Sequence, residues 1–296
     1  MNRSQQDAWK REALDMCFQA LAGCNELSRK IVYKGARILA LRLGGQQRAS
    51  YDLDANILLS FAVRTPDRNE QSAILHDLFS TAISNFASAQ DPVRFELDRL
   101  DITHNPPNHP MGWNAFDVKV RLKDFNNEGV RGLPFVSFDV AAPEALGDIA
   151  VAPLEVDGHT VFAYTLERIA GEKLRAFLSS LPAYRTKVQK PGEVVRVKDI
   201  YDVSKILAAH PLEDTAFWNA AGAEFKLACA SRFIDCSNMA TFSEALAVTK
   251  ATYESDPTLP KDIDFNTAWT NLQAIVAYWE SCLILPIANP FPIQKT

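Results

Sequence analysis

Asp52 and Asp54 stand at i and i+2 in the run Arg48-Ala49-Ser50-Tyr51-Asp52-Leu53-Asp54. On a strand, that spacing puts both carboxylates on one face. Two carboxylates side by side repel each other unless a cation lies between them. A hard cation such as Mg²⁺ takes oxygen ligands and keeps room for phosphate oxygens. The chemistry this implies is phosphoryl or nucleotidyl transfer, with the pair as a metal platform. Lys34, Arg37 and Arg48 cluster around it as candidate phosphate ligands. Ser50 reads either as a phosphate ligand through its hydroxyl or as a strand-start cap.

The surrounding elements must position these groups. A short apolar strand, Ile31 to Tyr33, runs through a turn at Gly35 into a helix-like segment, Ile38 to Leu43. After Gly44-Gly45 a second strand carries the acidic pair. Further on, Leu133 to Val140 reads as a strand. Its alternation puts Phe138 and Val140 on one face and Ser137 and Asp139 on the other. Asp139 reads either as a third carboxylate for the site, as many nucleotidyltransferases place on a neighbouring strand, or as an exposed acid at a strand end. Asp98 and Asp101 are weaker rivals.

The stretch from Lys34 to Asp54 resembles the AbiE abortive-infection nucleotidyltransferase toxins (AbiEii type). These carry K-G-G-[ST]-x-L followed by R-x-S-x-D-[IL]-D. Here the first block reads Lys34-Gly35-Ala36-Arg37-Ile38-Leu39 and departs from the pattern at Ala36 and Arg37. The second block, Arg48 to Asp54, matches well. Glu172-Lys173-Leu174-Arg175-Ala176 resembles the family's E-K-L-x-A helix. Arg196-Val197-Lys198-Asp199-Ile200-Tyr201-Asp202 resembles its R-x-[RK]-D-x-x-D segment. The resemblance spans roughly residues 31 to 207.

The resemblance implies a Mg²⁺-dependent enzyme that uses an NTP, with Asp52, Asp54 and Asp139 on the metal. Lys34, Gly35, Arg37, Arg48, Ser50 and Lys173 would bind the nucleotide. Lys173 sits on an otherwise apolar helix face, so it either reaches a phosphate or snorkels to solvent. Either Asp199 or Asp202 would serve as catalytic base or late metal ligand, with Asp199 preferred. The other would cap a helix or pair with Arg196. The implied partners are a tRNA 3′ end as acceptor and a cognate antitoxin protein or transcriptional repressor, in a toxin–antitoxin or phage-defence pair. The alternatives are a nucleotidyltransferase acting on a protein or small molecule without toxicity, and a catalytically idle binding or regulatory member.

Periodicity predicts an α+β chain, with a mixed sheet and helices over residues 1–163, a helical domain over 164–296 and a cleft between them; the resemblance implies that the first is nucleotidyltransferase-like and that the second closes an active-site cleft. Helices are expected over 7–22 and Asn69 to Ala87, and near 165–180, 197–209, 213–234, 241–254 and 266–285. Strands are expected over Val93 to Ile102 and Ala115 to Leu122, with short strands and turns over 148–163. Leu181 to Glu193, with Pro182, Pro191 and Gly192, reads as a linker.

The chain has 296 residues, 47% of them hydrophobic, which suffices for a two-domain core. The net charge of −5 excludes a broadly basic nucleic-acid-binding surface but not a local one. Five cysteines without a C-x-x-C pair read as reduced thiols in a cytosolic protein. Cys17 with Cys24, and Cys229 with Cys236, are each read as sharing a helix face. The polar opening Met1-Asn2-Arg3-Ser4 has no signal core, and no run is long enough to span a membrane. His104 and His109 read as surface residues. Trp218, Trp269 and Trp279 read as core, and Trp113 as a candidate for base stacking.

Overall fold

The computed structural model describes residues 2–45, 48, 50–105, 114–130, 132–188 and 194–290. It falls into two compact units. One comprises Met1–Ile38, Ala49–Glu144 and Ala152–Tyr164; the other comprises Leu39–Arg48, Ala145–Val151 and Thr165–Thr296. The chain is α+β, as its periodicity implies.

The first unit opens with helix α1 (Arg3–Ala22). It begins four residues earlier than the apolar stripe predicts, because Asn2 and Gln5 form a reciprocal capping box that satisfies two orphan N–H groups. Next come β1 (Ile31–Lys34), α2 (Gly35–Arg42, whose residues from Leu39 on are counted with the second unit), β2 (Asp52–Ile57), α3 (Leu59–Arg64) and α4 (Arg68–Ser88). Then follow β3 (Phe95–His104), β4 (Phe116–Asp124), β5 (Val136–Ala141), β6 (Val151–Val156) and β7 (His159–Tyr164). The strands form one seven-stranded mixed sheet in the order β3-β4-β5-β2-β1-β7-β6. β2 runs parallel to β5 and β1 parallel to β7, while β1–β2, β3–β4 and β4–β5 are antiparallel.

One face of this sheet is apolar. Leu53 and Ala55 of β2, Val118 and Val120 of β4, and Phe138 and Val140 of β5 are all buried. α1 and α4 cover this face. Phe18 of α1 meets Tyr33 edge-on with ring centroids 5.2 Å apart, and Phe79 of α4 meets Phe138 at 5.5 Å. Each such buried side chain contributes roughly 1.5–3 kcal/mol by leaving water. Strand alternation therefore turns the polar residues of β2, β4 and β5 to the opposite face.

The second unit is helical: α5 (Leu166–Ser179), α6 (Pro182–Lys187), α7 (Val197–Ala209), α8 (Thr215–Ala230), α9 (Met239–Phe242), α10 (Leu246–Ser255) and α11 (Phe265–Ser281). α5 is buried continuously from Arg168 to Leu178, as befits a helix packed on all sides. Its Gly171 permits close approach to α8: a Cβ there would lie 2.6 Å from the Phe225 backbone nitrogen. Beside it Arg168, fully buried, pairs with Glu224 at 3.2 Å. Thr165, Asp214 and Asp264 cap α5, α8 and α11.

Several expectations require correction. Part of the expected linker is the short helix α6, because Pro182 at its first turn pre-sets φ and lacks only an N–H that would be orphaned anyway. The segment near 241–254 is broken into α9, a 3-10 turn and α10. The helices near 213–234 and 266–285 stop early, at Ala230 and Ser281, with Phe233 and Leu283 left-handed just beyond. α3 is a helix the periodicity did not announce. Cys24 and Cys236 lie past the ends of α1 and α8, so neither cysteine pair shares a helix face. Trp218 and Trp279 are fully buried and Trp269 nearly so. His104 ends β3 against Phe116, 5.4 Å between rings, while His109 and Trp113 lie outside the described residues. No helix among the described residues is long and apolar enough to cross a membrane.

Candidate active site

The polar face of the sheet carries a row of charge across four strands. Lys34 of β1 sits opposite Asp54 of β2, Asp54 opposite Asp139 of β5, and Asp139 opposite Asp117 of β4. Asp52 lies one row along, opposite Ser137. Ligand oxygens of Asp52, Asp54 and Asp139 lie within 4.8 Å of one another. Ser50 donates a hydrogen bond from Oγ to Asp52 Oδ1 at 2.8 Å, which orients that carboxylate.

Gly35 makes the row possible. It follows β1 and opens α2 with φ of +81°, and a Cβ built on it would fall 2.0 Å from Asp54 Oδ2. Glycine takes that backbone without strain and leaves Asp54 room. On the same face of β2, Asn56 is 1% exposed, and neither polar atom of its side chain has a hydrogen-bond partner among the described residues. Leaving such a group unpaired costs about 1–3 kcal/mol. A buried polar group in line with Asp52 and Asp54 fits a strand face kept for polar chemistry rather than for packing.

Electrostatics fit a cation as well. The Asp139 carboxyl is held above its ordinary pKa, foremost by burial, then by Asp117 and Asp52, with Lys34 opposing. The all-carboxylate donor set suits a hard divalent ion. Binding such an ion displaces the proton, so affinity should weaken toward acid pH.

The second unit gathers the other candidate residues. Lys173 of α5 is buried, with Nζ 3.1 Å from Asp199 and 2.6 Å from Asp202, both on α7. Arg48 donates to both Asp202 oxygens, from Nε at 3.0 Å and Nη2 at 2.9 Å. Arg196 donates to Asp199 at 2.6 Å. Three cations thus surround two carboxylates. Burial pushes the Asp199 carboxyl up, but Arg196 and Lys173 outweigh it and hold it down at about 2. Burial likewise disfavours the Lys173 ammonium, and Asp202 and Asp199 more than restore it. A carboxylate so firmly ionised is a poor proton acceptor. What it does well is fix the cations around it.

The structure therefore brings Lys34, Gly35, Ser50, Asp52, Asp54 and Asp139 together in one unit, and Arg48, Lys173, Asp199 and Asp202 together in the other. Arg37 has a different environment: its guanidinium pairs with Asp15 of α1 and lies 5.5 Å over the Phe18 ring. Asp117 is the residue the sequence reading missed. The polar alternation of β4 marks its face, but only the β4–β5 register puts it beside Asp139.

No curated protein and no solved structure matches the chain. A family model described as "Nucleotidyl transferase AbiEii toxin, Type IV TA system" matches residues 19–274. That span covers both the carboxylate row and the buried ion cluster, and the chain belongs to this family of nucleotidyl transferase toxins.

Proposed function

We propose that Asp52, Asp54 and Asp139 hold Mg²⁺ and that the protein transfers a nucleotide from an NTP to the 3′ end of an RNA such as tRNA. The observation that carries this reading is the three-carboxylate set within 4.8 Å, beside a glycine at which a Cβ would fall on the Asp54 carboxylate. When bound, the ion supplies charge neutralisation to the phosphate oxygens. Lys34 adds positive charge at the end of the same row, and Ser50 keeps Asp52 oriented. In the helical unit, Lys173 and Arg48 serve nucleotide binding as cations, and Asp199 and Asp202 act by positioning them. In the reaction, the acceptor hydroxyl oxygen bonds to the α-phosphorus. The bond from that phosphorus to pyrophosphate breaks with its electron pair, and the hydroxyl proton passes to solvent. A cognate antitoxin then restrains the activity in the cell, and phage defence is the setting the reading favours.

The test is incubation with each α-labelled NTP and total cellular RNA and protein. Label should enter RNA, require Mg²⁺, and disappear with Asp52→Ala, a change that should leave apo stability steady or higher by relieving carboxylate repulsion. Expression of the wild type should slow growth, and expression of Asp52→Ala should not. Equal labelling by wild type and Asp52→Ala would overturn the metal role. Label in protein rather than RNA would overturn the acceptor.

A further inference from the structure

β4 presents more than Asp117 to the carboxylate face. Its alternation puts Asp117, Lys119, Arg121 and Lys123 on that one face, with the last three exposed. Register ties Lys119 to Ser137, in the same row as Asp52, so the cations lead away from the carboxylates along β4. Farther out, Lys123 is engaged by Glu96 at 2.6 Å, and on β3 Arg99 is engaged by Asp101 at 2.7 Å. Lys119 and Arg121 have no ion-pair partner among the described residues. Arg121 instead lies 4.7 Å from the ring centroid of Phe135, which is 36% exposed.

We propose that Lys119, Arg121 and Phe135 form the track on which the acceptor strand lies, and that its ligand is the terminal stretch of a single-stranded nucleic acid. This rests on the nucleotidyl-transfer reading above and assigns the acceptor its place. Alternate residues on a strand are about 6.7 Å apart, a step that an extended single strand can follow phosphate by phosphate. An exposed aromatic ring beside an arginine supplies a stacking surface for a base, which the carboxylates of an acidic peptide do not use. The chain's net charge of −5 means that an acceptor is held by a local patch rather than by the whole surface.

The test is fluorescence anisotropy of a labelled short single-stranded RNA oligomer, read as a function of salt. The double variant Lys119→Ala/Arg121→Ala should bind at least about tenfold more weakly, and its log–log salt slope should fall by about 1.4, for two lost phosphate contacts. Phe135→Ala should weaken binding about five- to hundredfold with the salt slope kept. Mn²⁺ affinity should stay at the wild-type value in all of these, which separates the track from the metal site. All three positions are on the surface, and thermal melts of the variants report their folding. Lys261→Ala, an exposed lysine of the helical unit, is the control and should bind like wild type. Oligomer binding within twofold of wild type in the double variant overturns the proposal. So does wild-type protein that captures a polyglutamate peptide but not the oligomer. Loss of labelling in Asp52→Ala alongside unchanged oligomer binding in the double variant would sink the track and leave the transfer reading standing.

Discussion

Gly35→Ala is expected to abolish nucleotide transfer while the chain still folds. Two effects act together. At φ of +81° an alanine is strained, by about 1–2 kcal/mol. The larger effect is steric: the new methyl would occupy the space of Asp54 Oδ2, 2.0 Å away, so the carboxylate must swing out of the row. A misplacement of about 1 Å at a reacting centre can lower a rate about 100-fold. Here the displaced group is a metal ligand, so we expect at least that loss, with weaker Mn²⁺ binding. Labelling assays and a Mn²⁺ titration check it; wild-type activity in Gly35→Ala would show that Asp54 does not need the position the structure gives it.

Lys173→Met should produce the largest loss of stability. The side chain is buried, and its removal leaves Asp199 and Asp202 facing each other with one cation fewer. Breaking a buried pair by deleting one partner destabilises by about 3–5 kcal/mol. For a chain of this size the melting temperature should fall on the order of 10 °C. Lys173→Arg should rescue only partly, since a planar guanidinium does not replace a compact ammonium between two carboxylates. The pH dependence has a definite sign. The folded Asp199 carboxyl sits at about 2, below its ordinary value of 3.8, so its contribution to stability is complete above about pH 4 and is lost as pH falls toward 2. Lys173→Met should narrow that window, because one of the two cations that depress Asp199 is gone. Urea unfolding from pH 2 to 7 measures both effects. An unchanged melting temperature would mean that Lys173 is not enclosed between the two acids.

What the sequence made legible follows from the range of each signal. The strand period alone puts Asp52 and Asp54 on one face, and Asp139 on the face opposite Phe138 and Val140, and the sheet has them so. The pairing of Asp54 with Asp139 joins residues far apart in the chain and depends on β2 running parallel to β5, which no local pattern encodes. Asp117 was missed for the same reason. Lys173, Asp199 and Asp202 stood out by resemblance, yet their enclosure in one ion cluster with Arg48 depends on α5 packing against α7. Arg37 pairs with Asp15, although its nearness in sequence to Lys34 grouped it with the phosphate ligands. The early start of α1 and the existence of α6 rest on a capping box and an N-terminal proline, local signals that a reading by apolar stripe passes over.

The central claim is that the carboxylate row binds a divalent cation, and electron paramagnetic resonance titration with Mn²⁺ tests it most directly. The wild-type protein should bind the ion at this row, more weakly as pH falls through the raised range of Asp139. Asp54→Asn and Asp139→Asn should each weaken binding at least about tenfold, and Asp139→Asn should do so without lowering the melting temperature, since it removes a charge that Asp117 and Asp52 repel and keeps the side-chain shape. Wild-type affinity in both variants would contradict the account.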